Sequence, residues 1–320
     1  MNGFWDHKTV LVTGGRGFLG TAVVRQLNSV GTARVIASST SDCDLTQPDQ
    51  TEKFIEQTHP DLVIHLAARV GGIGANMARP ADLYLENLLM GTYVLDACLR
   101  LEVEKTVMIG TICSYPKFTP VPFKESSLWQ GYPEETNAPY GIAKLAQLVQ
   151  LQANREQFGQ NAIYLMPTNL YGPGDKFHPD VSHVIPALIR KCVNAKDAGD
   201  AYIDVWGTGS ASREFLYVDD AARAIVLACE HYDGGEPVNL GTHQELPISD
   251  LVHLIADAVG FEGEIRWDAT KPDGQPRRCT DPSRAKELFG FEATTSFDTG
   301  IAETVTWYRA HREAAEAKQR

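Results

Sequence analysis

The feature that most narrows the fold is a glycine-rich turn lying between two different hydrophobic periodicities. Thr9 to Thr13 is a short β-branched run that reads as a buried strand. It leads directly into Gly14-Gly-Arg-Gly17-Phe-Leu-Gly20, after which Leu19, Val23, Val24 and Leu27 recur at helical spacing. A backbone that must approach a pyrophosphate needs this order of strand, glycine turn and helix. Small residues admit the close approach, and the helix N-terminus offers unpaired N–H groups and a partial positive charge. Glycines also mark ordinary tight turns, so the position of the pattern carries the inference. Gly14, Gly15, Arg16, Gly17, Phe18, Leu19 and Gly20 are the candidate dinucleotide cradle.

The alternation continues downstream. Arg34 to Ser38, Asp61 to Leu66, Lys105 to Ile109 and Ala162 to Met166 read as strands. Pro48 to His59, Pro80 to Arg100 and Tyr140 to Phe158 read as helices. This predicts an α/β, Rossmann-type doubly wound parallel sheet covered by helices on both sides. After Tyr171 the pattern loosens into short strands (Ile203 to Trp206, Pro237 to Leu240, Glu264 to Trp267) mixed with helices (Ala221 to Glu230, Ile248 to Val259, Pro282 to Phe289). A smaller C-terminal α/β substrate lobe is expected there. The expected division is 1–170 for the cofactor domain and 171–320 mainly for the substrate lobe, with the chain free to cross between them. The stretch from His311 to Arg320 is polar and is expected to fray.

A net charge of -12 argues against a nucleic-acid partner. No apolar run reaches membrane-spanning length and no leader precedes the first strand, so no membrane partner and a cytoplasmic location are expected. The six cysteines are scattered, without a CxxC pair or metal-ligand spacing, which points to reduced thiols and no metal.

The end of the second strand bears on cofactor choice. NAD-binding folds usually carry an acidic residue there for the ribose hydroxyls. This chain has Ala37-Ser38-Ser39-Thr40, and Arg16 in the turn adds a positive charge, so NADP(H) is expected. Asp42 and Asp44 follow closely and temper that preference.

Tyr140-Gly-Ile-Ala-Lys144 places a phenol and an ammonium one helical turn apart on the same face. The positive charge is expected to lower the phenol's pKa toward working pH. Such a phenol donates a proton to a ketone oxygen while hydride reaches the carbon. Thr111, just past the strand that ends at Ile109-Gly110, offers a hydroxyl to the same oxygen; its other reading is a strand-end cap.

The glycine turn, Thr111 and the YxxxK together resemble the extended short-chain dehydrogenase/reductase family. Further stretches are similar to the branch of that family that acts on GDP-linked 4-keto-6-deoxy sugars. They are Val70 to Asn76, Cys113-Ser-Tyr-Pro-Lys117, Glu135 to Tyr140, Met166 to Pro173, Ser182 to Ala187, Trp206-Gly-Thr-Gly, Arg213-Glu-Phe and Lys271-Pro-Asp-Gly274. The resemblance implies 3,5-epimerisation followed by NADPH-dependent 4-keto reduction of GDP-4-keto-6-deoxy-D-mannose to GDP-L-fucose. It implies that Cys113 is the base and His183 the acid of the inversions, chemistry that suits a thiolate near cations and an imidazole titrating near neutrality. By the same resemblance Ile109, Gly110, Lys144, Pro167, Thr168, Asn169, Leu170 and His183 line the cofactor. Lys191, Trp206, Arg213 and Asp273 are its implied contacts to the GDP-sugar. The chain departs from the family in having Thr111 where serine is usual, Lys191 where relatives have arginine, and hydroxyls at 38–40 where bacterial relatives often have basic residues.

Two other readings stay open on the sequence. One is a related enzyme for a different GDP-linked 4-keto sugar, and the other is a pure epimerase that returns a tightly held NAD unchanged. By fold-level analogy, pairing of the 80–100 and 140–158 helices would make a homodimer.

Overall fold

The computed structural model describes residues 3–71, 73–179, 182–271 and 274–317. In chain order the first half holds β1 (Thr9–Thr13), α1 (Phe18–Ser29), β2 (Arg34–Ser38), α2 (Pro48–Thr58), β3 (Leu62–His65), α3 (Ile73–Ala78), α4 (Pro80–Arg100), β4 (Lys105–Ile109), α5 (Ala138–Phe158) and β5 (Ala162–Pro167). The second half holds β6 (Asn169–Tyr171), α6 (Val184–Ala198), β7 (Tyr202–Trp206), β8 (Ser212–Tyr217), α7 (Val218–His231), β9 (Val238–Leu240), β10 (Glu245–Pro247), α8 (Ile248–Val259), β11 (Glu264–Asp268), β12 (Arg277–Arg278), α9 (Ser283–Phe289) and α10 (Phe297–Ala317).

Six parallel strands form the main sheet in the order β2-β1-β3-β4-β5-β9. Both faces are buried, as the continuous apolar strands require. Val10 and Val12 face one way, into a core with Val23 and Leu27 of α1 and Ala221, Ile225 and Phe289 from α7 and α9. Leu11 and Val63 face the other way, toward Ile55 of α2 and Val94 of α4. Met108 and Tyr164 meet Leu145, Leu148 and Leu151 of α5 on that second side. Strand order reverses beside β1, so the turns after β1 and β3 diverge to leave a crevice at the carboxyl edge of the sheet, where ligands of such sheets bind.

A separate core unites α6, α8 and α10 with β7 and β8. The 170/171 division does not describe this packing, because α7, β9 and α9 return to the main sheet and its first core. The C-terminal stretch departs from expectation. Helix α10 bends at His311, whose backbone is non-helical, and continues to Ala317. Ala315 is fully buried and Arg312 pairs with Asp197 at 2.8 Å, so tertiary contacts hold residues that look merely polar in sequence. Among the described residues no helix is long and apolar enough to cross a membrane.

Candidate active site

The glycine turn is shaped by contacts that leave no room for side chains. Gly14 adopts φ +70°, and a Cβ there would lie 2.8 Å from the Ala67 backbone nitrogen in the segment after β3. A Cβ on Gly15 would lie 2.7 Å from the Val12 carbonyl, and one on Gly20 would overlap the Gly14 carbonyl. Gly17 stands at the N-cap of α1 without a side-chain cap, and the first turn carries no acidic residue. The N-terminal N–H groups of α1 are thus left for an anion, and the cradle fits a dinucleotide pyrophosphate.

Beyond the turn, the Arg16 guanidinium approaches the Ser39 hydroxyl at 3.4 Å and pairs with Asp42 at 3.2 Å. Asp42 also accepts from the Ser39 backbone N–H at 2.8 Å and from its hydroxyl at 2.9 Å. The backbone bond, then the hydroxyl bond, hold the Asp42 carboxyl below its usual range against a small burial penalty, with Arg16 adding to the effect. Ser38 is buried and its hydroxyl faces the Val12 carbonyl at 3.5 Å, so Arg16, Ser39 and Ser41 present the polar surface at this strand end.

Three of the expected reacting groups converge past the end of β4. Gly110 has to be glycine because a Cβ would run into the Tyr164 ring. Thr111 caps the short helix Ile112–Ser114, its hydroxyl accepting from the Cys113 N–H at 3.2 Å. The Tyr140 phenol lies close enough to feel the Cys113 charge, which raises it, and the Thr111 hydroxyl, which lowers it. Gly141 lets α5 dock on this turn, since a Cβ on it would lie 2.5 Å from the Cys113 carbonyl oxygen. The Ser114 hydroxyl donates to the Gly141 carbonyl at 3.0 Å, locking turn to helix. Tyr164 supports the next turn of α5, donating to the Lys144 carbonyl at 2.7 Å.

The titration of the YxxxK pair differs from the sequence expectation. Tyr140 is not lowered by Lys144. Burial, then the Cys113 charge, push the phenol well above its ordinary value, and the Thr111 hydroxyl only partly offsets them. Lys144 is 2% exposed, and burial lowers its ammonium from 10.5 to about 8. Helical spacing places the two side chains on one face, but it says nothing about their shared desolvation. The phenol therefore holds its proton, a state suited to donation.

The Cys113 sulfur stands between a donor and an acceptor. Arg278 Nη1 lies 3.8 Å from it, and the Asn137 side-chain oxygen lies 3.7 Å away. Asn137 also accepts from Asn76 at 2.9 Å and donates to Glu134 at 2.6 Å. Burial would raise Glu134, but hydrogen bonds from Thr136 and Asn137 and the Arg278 charge hold it low. Cys113 is half-buried, and the other five cysteines are buried.

His183 is the N-cap residue of α6, exposed but set among enough protein that desolvation, then the Lys176 charge, lower its imidazole. Thr168 and Asn169 follow β5, and the Asn169 amide donates to the Glu214 carbonyl at 2.8 Å. On the second lobe Lys191 of α6 donates to the Asp204 carbonyl of β7 at 2.8 Å; burial, then Arg190, lower its ammonium. Trp206, 66% exposed at the end of β7, has Lys271 5.5 Å from its ring centre. Arg213 lies on β8 and donates to the Ser212 carbonyl at 2.7 Å. Asp273 lies outside the described residues.

Sequence reasoning missed several polar groups here. Arg278 and Asn137 meet at one sulfur, and Asn76 braces Asn137, from three distant stretches, so no spacing rule links them. Ser114 and Gly141 serve the turn-to-helix contact. His65, buried at the end of β3, meets the Thr13 hydroxyl at 2.8 Å, and burial, then the Lys144 charge, lower it to about 3. A histidine in an otherwise apolar strand was the available signal.

Comparison with known proteins gives consistent results. Residues 10–241 match the NAD dependent epimerase/dehydratase family. GDP-L-fucose synthase 1 of Arabidopsis thaliana is 45% identical over 93% of this chain and 92% of its own length. The structure of a GDP-L-fucose synthetase from Naegleria fowleri bound to NADP superposes with a TM-score of 0.89 at 29% identity, covering 99% of this chain and 98% of that one. A GDP-6-OMe-4-keto-L-xylo-heptose reductase from C. jejuni superposes with a TM-score of 0.91 at 26% identity, covering 97% of this chain and 100% of that one.

Proposed function

The chain belongs to the NAD dependent epimerase/dehydratase family and, within it, to the GDP-L-fucose synthases, and on that premise we propose that it converts GDP-4-keto-6-deoxy-D-mannose to GDP-L-fucose by 3,5-epimerisation and NADPH-dependent 4-keto reduction. The observation that carries this reading is the meeting of thiol, hydroxyl and phenol at Cys113, Thr111 and Tyr140, on the same edge of the parallel sheet as the glycine cradle.

The chemistry follows from these groups. A 4-ketone acidifies the protons on C3 and C5. The Cys113 thiolate takes such a proton; an S–H bond forms as the C–H bond breaks, and the electron pair moves onto the ketone oxygen. Thr111 and Tyr140 donate hydrogen bonds to that oxygen as it gains charge. His183, as imidazolium, returns a proton to the carbon from the opposite face. After both inversions the Tyr140 phenol gives its proton to O4, with Lys144 stabilising the phenolate left behind. Gly14 to Gly20, Arg16, Ser39 and Lys144 would hold NADPH, which when bound would be the hydride source for C4. Ile109, Gly110 and the Pro167 to Leu170 stretch line the same edge. Lys191, Arg213 and Trp206 recognise the GDP moiety, the cations binding diphosphate and the indole packing on a ring.

Helices α4 and α5 lie side by side and leave Tyr84, Leu85 and Val149 exposed, which supports a homodimer through these helices. The free cysteines support a reducing, cytoplasmic location.

The test incubates the protein with GDP-4-keto-6-deoxymannose in heavy water, with and without NADPH. Deuterium at both C3 and C5 together with NADPH oxidation is the expected result. Exchange without net oxidation would leave a pure epimerase. The likeness to the C. jejuni heptose reductase favours one second reading, a different GDP-linked 4-keto sugar. A competition assay with the corresponding heptose would reveal it by a higher kcat/KM.

A further inference from the structure

We propose that Arg278 is the positioning residue that holds Cys113 as a thiolate, so that the sulfur is charged before substrate deprotonation begins. The inference rests on the reading of Cys113 as the base and adds to it the group that makes it basic at neutral pH.

The geometry is specific. Arg278 lies on β12, in register beside Arg213 of β8. Its Nη1 reaches the Cys113 sulfur at 3.8 Å, while its Nε donates to the Gln275 side-chain oxygen at 2.7 Å. Gln275 in turn donates to the Lys117 carbonyl at 2.7 Å, four residues past Cys113. The guanidinium is thus tethered to the same loop that carries the thiol. The strand bearing it is anchored as well. The Phe123 N–H donates to the Cys279 carbonyl at 2.8 Å, and the buried Glu214 carboxylate accepts from the Thr280 N–H at 2.8 Å and from its hydroxyl at 2.7 Å.

A hydrogen bond from a guanidinium is much stronger to S⁻ than to S–H, whereas the Asn137 oxygen opposite can accept only from S–H. The two neighbours therefore serve two states of one sulfur. Arg278 holds the thiolate that waits for substrate. Asn137 receives the S–H formed when the carbon proton has been taken, and that proton later leaves to solvent or returns to carbon. Among the described residues, Tyr140 from α5 interacts with the charge on this sulfur, and Glu134 from the segment before α5 accepts from the Asn137 amide. Glu134 pairs electrostatically with Arg278, which keeps the guanidinium from acting as an isolated charge.

The test compares the full-length protein with Arg278→Gln and Arg278→Lys. Carbamidomethylation of Cys113 is followed against pH by peptide mass spectrometry, beside deuterium exchange at C3 and C5, KM, NADPH affinity and thermal midpoint. In Arg278→Gln the alkylation profile should move to higher pH, leaving about tenfold less thiolate at neutrality. Exchange should slow by a similar factor, with NADPH affinity retained, and Arg278→Lys should recover most of both losses. An unmoved alkylation profile with only a raised KM would overturn the proposal and leave Arg278 a substrate contact. A lowered thermal midpoint without lysine rescue would overturn it in favour of a purely structural role. Cys113→Ser separates the two levels: full exchange in that variant would sink the base assignment itself, whatever the alkylation profile of Arg278→Gln.

Discussion

A side-chain methyl on Gly141 would lie 2.5 Å from the carbonyl oxygen of Cys113. Helix α5 and the turn after β4 are therefore in backbone contact at the position next to Tyr140. Because the phenol and the thiol are both set by this contact, Gly141→Ala should shift them apart. Overpacking of this kind typically costs about 1–3 kcal/mol. Epimerisation and reduction should fall together, with a lowered urea midpoint; loss of one activity alone would separate the two groups.

Tyr140→Phe removes the proton donor but leaves the thiol and its neighbours. Reduction should fall by about 10²–10⁴-fold, the usual span for a general acid. Deuterium incorporation at C3 and C5 should fall much less. Isotope exchange and NADPH oxidation measured on one sample decide it, and equal losses would mean that the phenol matters as much to charge on the ketone oxygen during epimerisation as to proton donation in reduction.

The buried ammonium of Lys144 predicts a pH dependence of stability. Its value is lowered from 10.5 to about 8 by burial, so between these limits the unfolded state binds more protons than the folded state. Stability contributed by this group must then rise as pH increases through that window, and it is lowest below about 8. Lys144→Met should remove the slope while abolishing reduction. Urea denaturation of both proteins at pH values within and below that window is the check, and parallel curves would contradict it.

His183 is held below the ordinary imidazole value by desolvation and then by Lys176. Its protonated form, needed as the acid, grows as pH falls, whereas the thiolate base is lost in the same direction. Exchange at C3 and C5 should therefore follow a bell-shaped pH profile whose acidic limb moves to higher pH in Arg278→Gln. His183→Asn should lose exchange and retain NADPH binding.

Asp42 pairs with Arg16 at 3.2 Å and fastens Ser39, at the strand end where a 2′-phosphate is recognised. Asp42→Asn should release Arg16 and raise the NADPH to NADH preference several-fold. Arg16→Ala should weaken NADPH and leave NADH nearly unchanged. Steady-state kinetics with both cofactors measure this directly.

Much of the fold was legible because local pattern and global packing agree. β1, the glycine turn and α1 follow from a β-branched run, the absence of side chains and helical spacing. The same holds for α4, β4 and α8, whose expected bounds fall on the observed ones. Helix α6, with β6, β8, β10 and β12, was not foreseen. These elements lie in loosely patterned sequence or are two to six residues long, and they form because partner strands and a second core support them. Helix α10 was misjudged for a related reason, since its buried face is small and its polar face finds partners at Asp197 and Glu316.

The sequence by itself determined the sheet, the glycine turn and the placing of Tyr140 and Lys144 on one helix face, because each rests on residues close together in the chain. Only the tertiary structure decided the protonation of those groups and the company of Cys113. Desolvation of Tyr140 and Lys144 depends on everything packed around them, and Arg278 reaches the thiol across more than one hundred and sixty positions of chain. Charge and burial act through space, and the order of residues does not record distance in space.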